Sequence, residues 1–161
     1  MGGGDKPLFH PNIDIRPMPS VDIVADLNQD WPVGSEEFDG VFSQFILEHI
    51  SWRNVRRFIA NTHRVLKPGG VAFFITANLL EQARKLVNSE DWNDDLICMI
   101  FGDNDYPENT HRCGFSPKYA YKLFKEAGFY EVRIGPLPWC ETDMWIYSRK
   151  SKAKVIVGGK I

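Results

Sequence analysis

The sequence predicts an α/β fold: a mostly parallel sheet with helices on both faces, finished by an antiparallel hairpin at the C-terminal end. Three observations predict it. Short apolar runs alternate with stretches of helical spacing, the order that builds strand-helix-strand units. Val71 to Thr76 is apolar on both alternations, as a strand buried on both faces of a parallel sheet must be. Tyr130 to Ile134 and Met144 to Ser148 both alternate, and the connection between them begins Gly135-Pro-Leu-Pro138, so they read as neighbouring antiparallel strands.

Along the chain, Asn12 to Ile15 is a short strand after a Pro-containing loop, and Val21 to Ala25 is a second, ending at Asp26. A polar loop over Asn28 to Glu37 leads to a third strand, Phe38 to Ser43. Val55, Phe58, Ile59, Thr62, Val65 and Leu66 then form one stripe of an amphipathic helix. Lys67-Pro-Gly-Gly70 stops that helix, because proline cannot continue it and glycine supplies positive φ. After the strand at Val71 come a helix over Leu80 to Asn88 and another within Asp94 to Phe101. Ser116 is placed to cap a further helix, with Pro117 at its first position and Gly128 closing it. About six strands result. Residues 1–150 form one domain, and residues 151–161 a tail.

Composition narrows the function. The chain has 161 residues, 43% apolar and 25% charged, enough for a real core. A net charge of −2 gives no basic excess to grip a phosphate backbone, so nucleic acid is not the expected partner. No apolar run approaches a membrane span, and the first residues lack the layout of a signal peptide. Three widely spaced cysteines, Cys98, Cys113 and Cys140, suit free thiols in a reducing compartment, which leads us to expect a cytoplasmic protein.

In parallel sheets ligands bind beyond the carboxyl ends of the strands. Asp14 and Asp26 stand at two successive strand ends, and a carboxylate there can accept two hydrogen bonds from a ribose diol. Gly2-Gly-Gly4 allows close backbone approach to a ligand, or is a frayed terminus. Ser43 and Gln44 end the third strand. Glu48 and His49 are adjacent and point about 100° apart on a helix, so they are no simple acid–base pair, and His49 reads as structural. Thr110 to Ser116 gathers His111, Arg112 and Cys113 in a loop before a helix, where functional residues concentrate. His111 and Cys113, with Cys140 or His10, match no closed zinc spacing, so no metal is expected. Trp139 offers an aromatic wall or plain core.

Gly2-Gly-Gly-Asp5, Asn12-Ile-Asp-Ile15, Val24-Ala-Asp-Leu27, Phe38-Asp-Gly-Val-Phe-Ser43, Ile46-Leu-Glu-His-Ile50 and Arg64-Val-Leu-Lys-Pro-Gly-Gly-Val71 stand in an order that resembles class I S-adenosylmethionine-dependent methyltransferases, the methyltransferase type 11 group above all. The resemblance covers about residues 2–150 and implies a Rossmann-like fold, with S-adenosylmethionine as cofactor. It implies that Gly2, Gly3 and Gly4 pass under the methionine part of the cofactor and that Asp14, followed by Ile15, binds the ribose. It sets Asp26 and Leu27 beside the adenine, and Ser43, Gln44 and Phe45 on the methionine side. His111 and Arg112 match a segment on the acceptor side, where Trp139 is a further wall; the acceptor is a small molecule and the chain a monomer or homodimer. The family's first strand, an apolar run before the glycine loop, has no match here. Its loss should leave two unpaired strand edges and an apolar slot in the sheet. Either the chain is truncated relative to the family or another segment fills the gap, and the strand-like tail Lys154-Val-Ile-Val157 can insert there or pair with another chain.

Methyl transfer from a sulfonium is an in-line displacement, so the protein mainly orients and desolvates. A base is needed for an ordinary hydroxyl acceptor, and His111 is placed for that role, with Arg112 expected to keep it neutral. An inactive methyltransferase-like binding module is the alternative. A dinucleotide oxidoreductase is disfavoured, because no spaced Gly-x-Gly-x-x-Gly and no following helix receive phosphates.

Overall fold

The structure, a computed structural model, describes residues 2–152. The elements are β1 (Ile13–Asp14), β2 (Ile23–Val24), β3 (Phe38–Gln44), α1 (Val55–Val65), β4 (Leu66–Ala77), α2 (Leu79–Val87), α3 (Asp94–Phe101), α4 (Pro117–Glu126), β5 (Glu131–Leu137) and β6 (Cys140–Arg149), with 3-10 turns at Leu47–His49 and Pro107–Asn109.

Four strands form one sheet in the order β3-β4-β6-β5. β3 and β4 are parallel, while β6 runs antiparallel to both β4 and β5. Three of these four strands therefore share one direction, and the predicted C-terminal hairpin is β5-β6. β4 is interior, as its two-sided apolar pattern requires. β1 and β2 pair in parallel as a separate two-stranded sheet.

The core lies where α1 and α4 cover one face of the larger sheet. Val55, Phe58, Ile59 and Val65 of α1 are buried with Ala72 and Phe74 of β4, Leu123 and Phe124 of α4, and Ile146 of β6. The Phe74 ring meets Phe58 at 6.0 Å and Phe124 at 5.3 Å, both edge-on, the geometry that aromatic quadrupoles favour. Ser116 caps α4 as expected, accepting a hydrogen bond from the Tyr119 N–H at 3.3 Å. Asn93 caps α3 in the same way, from the Leu96 N–H at 3.0 Å.

The breaker Lys67-Pro-Gly-Gly70 does end α1, but the chain passes directly into β4 rather than through a loop. Phe38 pairs with Leu66 and Gly40 with Val71, so two steps along β3 face five along β4. The extra residues bulge, and Gly69, at φ 83°, makes the bulge possible.

The other face of the larger sheet carries a ladder of parallel rings, Phe42 on Phe73 at 6.2 Å and Phe73 on Trp145 at 6.4 Å. A groove over Phe73, Trp145, Tyr147 and Trp139 is lined by no residue of α1 to α4. On this face the helical cover is thinner than the sequence pattern predicts.

Between the two sheets lies a cavity of about 700 Å³, bounded by Ile13 of β1, Val41 and Phe42 of β3, and Trp31, Val65 and Val71. The loop of Lys6 to Pro11 lines it as well, and among the described residues no strand pairs β1 with β3. The tail run Val155 to Val157 lies outside the described residues. Among the described residues no helix is long and apolar enough to cross a membrane, and no group of three or more His, Cys, Asp or Glu is placed to hold a metal.

Candidate functional site

A groove of about 230 Å³ opens beyond the carboxyl ends of β1, β2 and β3. Residues at or just past the end of each of those strands line it. β1 ends at Asp14, with Ile15 next; β2 gives way to Asp26 and Leu27; β3 gives way to Phe45. Gly2 comes in from the side, its N–H donating to the Ile13 carbonyl oxygen at 2.6 Å. A side chain at Gly2 would run into Ile46, with a Cβ 2.0 Å from Ile46 Cδ1, and its φ of 61° is one that glycine tolerates. Phe45 has a φ of 51°, a left-handed conformation that costs a non-glycine residue energy and that concentrates at functional sites.

The acids are held differently. Asp14 is nearly buried, at 6% exposure. Its Oδ2 accepts from the Gly4 N–H at 3.2 Å and its Oδ1 from the Arg16 N–H at 3.0 Å. Asp26 accepts both the Asn28 N–H, at 2.9 Å, and the Asn28 side-chain amide, at 3.0 Å, on the single oxygen Oδ1. A carboxylate has about four acceptor directions, so each acid retains capacity for ligand hydroxyl or amine donors. That donor set fits a ribose-bearing, amino-bearing cofactor.

The far wall comes from the segment after α3. Tyr106, Glu108, Asn109 and Arg112 line the groove, and the Arg16 guanidinium lies 4.4 Å from the centre of the Tyr106 ring. Arg112 donates through Nη2 to the Pro107 carbonyl at 2.8 Å, and its N–H donates to the Glu48 carbonyl at 2.7 Å.

The Leu47–His49 turn sends its neighbours apart, as the 100° argument requires. Glu48 points into the protein, 2% exposed, and accepts the Thr76 hydroxyl at 2.8 Å. Burial pushes its carboxyl up to about 7. His49 lines the groove, with Nδ1 3.2 Å from the Thr110 carbonyl oxygen. Since that oxygen only accepts, the Nδ1 proton is assigned here and Nε2 keeps the lone pair. His111 does not line the groove; its ring stands edge-on to His49, 4.9 Å between centres. Burial holds both imidazoles below the usual histidine range. For His49 the His111 and Arg112 charges add to that effect; for His111 burial leads, opposed by the Ile100 and Met99 backbone and by Asp103 and Asp143. Burial raises the Cys113 thiol to about 11, so it is protonated at neutral pH.

The structure thus gathers Gly2, Asp14, Ile15, Asp26, Leu27, Phe45 and Arg112 around one groove. Gly3 and Gln44 line the adjoining 700 Å³ cavity, which shares Gly2 and Phe45 with the groove. Gly4 is tied to Asp14. Ser43 is buried, and its hydroxyl has no hydrogen-bond partner among the described residues. Trp139 stands apart, 78% exposed on the open aromatic face. Sequence reasoning missed Arg16, Tyr106, Asn109 and the position of His49. Arg16 is two residues from Asp14, the spacing of a side chain that receives a local backbone N–H, and that is the one local signal among them.

No curated protein matches the chain. Solved structures do, on fold. A SAM-dependent methyltransferase from Thermotoga maritima superposes with a TM-score of 0.55 at 15% identity, over 82% of this chain and 65% of that one. An O-methyltransferase family protein from Burkholderia thailandensis gives 0.56 at 17% identity, over 84% and 37%. The 1,6-didemethyltoxoflavin-N1-methyltransferase of the same organism, solved with 1,6-didemethyltoxoflavin and S-adenosylhomocysteine bound, gives 0.56 at 14%, over 86% and 60%. This chain spans less than two thirds of the length of each. The methyltransferase domain family matches residues 9–134. With that match over more than half of its length, the chain belongs to the methyltransferase domain family.

Proposed function

We propose that this chain binds S-adenosylmethionine in the groove over β1, β2 and β3 and supports transfer of its methyl group to a small-molecule acceptor. The observation that carries this reading is the convergence of two strand-end acids, Asp14 and Asp26, with the close backbone at Gly2. The larger cavity does not compete as the main site, because no Asp or Glu lines it and a ribose and an ammonium group need acceptors. It adjoins the groove at Gly2 and Phe45, so the methionine end of the ligand has room on the side where Gly3 and Gln44 lie.

When bound, the cofactor supplies a methyl group already activated as a sulfonium. The chain supplies orientation: Asp14 and Asp26 accept ligand hydroxyl and amine protons, and Phe45 and Ile46 give the groove apolar surface. For a hydroxyl acceptor, the His49–His111 pair supplies the base. Burial favours the neutral form of both rings, so His49, which lines the groove, can take a proton on Nε2, and His111 holds the His49 ring edge-on from behind. His49→Ala should lower turnover by about 10²–10⁴-fold and His111→Ala by less, through the lost support of the His49 ring; an unaltered rate of His49→Ala in steady-state kinetics contradicts the role. Three free cysteines fit a cytoplasmic setting.

Calorimetric titration tests the reading. Saturable one-to-one binding of S-adenosylmethionine, with none of a nicotinamide dinucleotide, is expected. Binding of the nicotinamide instead, or of neither, contradicts it.

A further inference from the structure

The far wall of the groove folds largely on itself. Within the 103–109 segment, the Asn109 side-chain amide donates to Asp105 Oδ1 at 2.6 Å and to Asp103 Oδ2 at 3.4 Å, and its N–H donates to the Tyr106 carbonyl at 2.9 Å. The Thr110 hydroxyl donates to Asn104 Oδ1 at 2.7 Å. The base of the segment is anchored. α3 ends on Gly102, at φ 82°, where a Cβ would stand 2.2 Å from the Asn109 carbonyl oxygen. The His111 N–H donates to the Phe101 carbonyl at 2.9 Å, and the Arg112 and Cys113 N–H groups share the Glu48 carbonyl at 2.7 and 3.0 Å. A loop closed on its own bonds and tied at its base can swing as a unit unless its tip is held.

Arg16 reaches that tip from the opposite wall. Its guanidinium lies 4.4 Å from the centre of the Tyr106 ring, inside the roughly 6 Å range of a cation–π contact. Its Nε stands 3.7 Å from Asp14 Oδ1, the same oxygen that accepts the Arg16 N–H at 3.0 Å. Both Arg16 and Tyr106 line the groove, as Asp14 does. Among the described residues, no other hydrogen bond, ion pair or ring contact joins the 103–109 segment to β1, β2 or the residues just past their ends. We propose that Arg16 is a positioning residue: held beside Asp14, it pins Tyr106 and so fastens the 103–109 segment across the groove. The planar guanidinium suits this role, because it stacks on a ring while its edge N–H groups face a carboxylate. The Arg16 side chain is 38% exposed, and a stack of that kind shifts an opening equilibrium by about two- to fivefold. Such a clasp closes the wall yet opens readily for entry and release. The clasp is read from the chain's own geometry; its effect on the methyl donor rests on the function proposed above.

The test uses the full chain. The Arg16 δ-methylene protons should resonate upfield in the wild-type protein, shielded by the face of the Tyr106 ring, and should give Overhauser contacts to the ring protons. Tyr106→Phe keeps a ring and should keep the shielding. Tyr106→Leu keeps apolar bulk alone, so it should abolish the shielding and speed amide exchange in the 103–109 segment by about two- to fivefold. Arg16→Ala should speed that exchange by the same factor, and the double variant no further than either single one. Stopped-flow displacement of S-adenosylhomocysteine should show a dissociation rate raised by the same factor in Tyr106→Leu and restored toward wild type in Tyr106→Phe. Unshielded Arg16 protons in the wild-type protein overturn the proposal, whether or not the variants fold. So does wild-type exchange in Tyr106→Leu, or effects of the two single variants that add. If S-adenosylhomocysteine does not bind the wild-type protein, the methyl-donor reading fails, and the shielding and exchange still decide the clasp.

Discussion

Asp14 has two roles for one carboxylate. It fixes the Gly4 and Arg16 backbone N–H groups, and in our reading it also accepts ligand hydroxyls. Asp14→Ala should therefore weaken donor binding by about ten- to a hundredfold per lost charge-assisted bond and lower the melting temperature as the loop loosens. Asp14→Asn, which keeps one acceptor oxygen, should lose less of both; titration calorimetry beside thermal melts separates the two effects. Glu48 makes a second prediction. Its folded-state pKa, about 7, lies above the ordinary 4.5. The folded protein thus binds the proton more tightly than the unfolded chain, and the associated stability is full below about 4.5 and lost as pH rises through about 7. The difference corresponds to roughly 3 kcal/mol. Glu48→Gln should flatten that decline, and denaturant melts at pH 5 and pH 8 measure it. The acids at strand ends were legible in the sequence because strand ends are local features. Tyr106 and His49 were not, because they reach the groove through long-range bonds such as the Arg112 N–H to the Glu48 carbonyl, and no periodicity records such a bond.

Among the elements, α4 announces itself most plainly. Ser116 and Pro117 mark its start, Gly128, at φ 98°, marks the turn past its end, and the apolar stripe between them buries Leu123 and Phe124. Ser116→Ala should cost about 1 kcal/mol, visible as a lowered midpoint in urea with the slope unchanged. β4 was legible for the same reason: a strand buried on both faces needs an unbroken apolar run, and Val71 to Thr76 is one. The bulge at its start was not, because Pro and Gly mark a break in the helix without saying how the chain continues. β1 and β2 pair over two residues each, so they leave only a short trace of alternation.

For the molecule as a whole, the division of the sheet decides the rest. A sheet divided between β1 and β3 has its acids in one groove and its apolar space in the next, and the two meet at Gly2 and Phe45. The ring ladder of Phe42, Phe73 and Trp145 was not legible in the sequence, because alternation within a strand does not say which element covers which face. The most direct measurement is a ¹H–¹⁵N correlation spectrum of the full chain titrated with S-adenosylhomocysteine. We expect saturable shifts confined to the amides around Gly2, Asp14, Asp26 and Phe45 and to the Tyr106 to Arg112 segment, with Trp139, Trp145 and Tyr147 unmoved. No shifts, or shifts centred on the Phe73 and Trp145 face, would contradict the placement of the methyl-donor site.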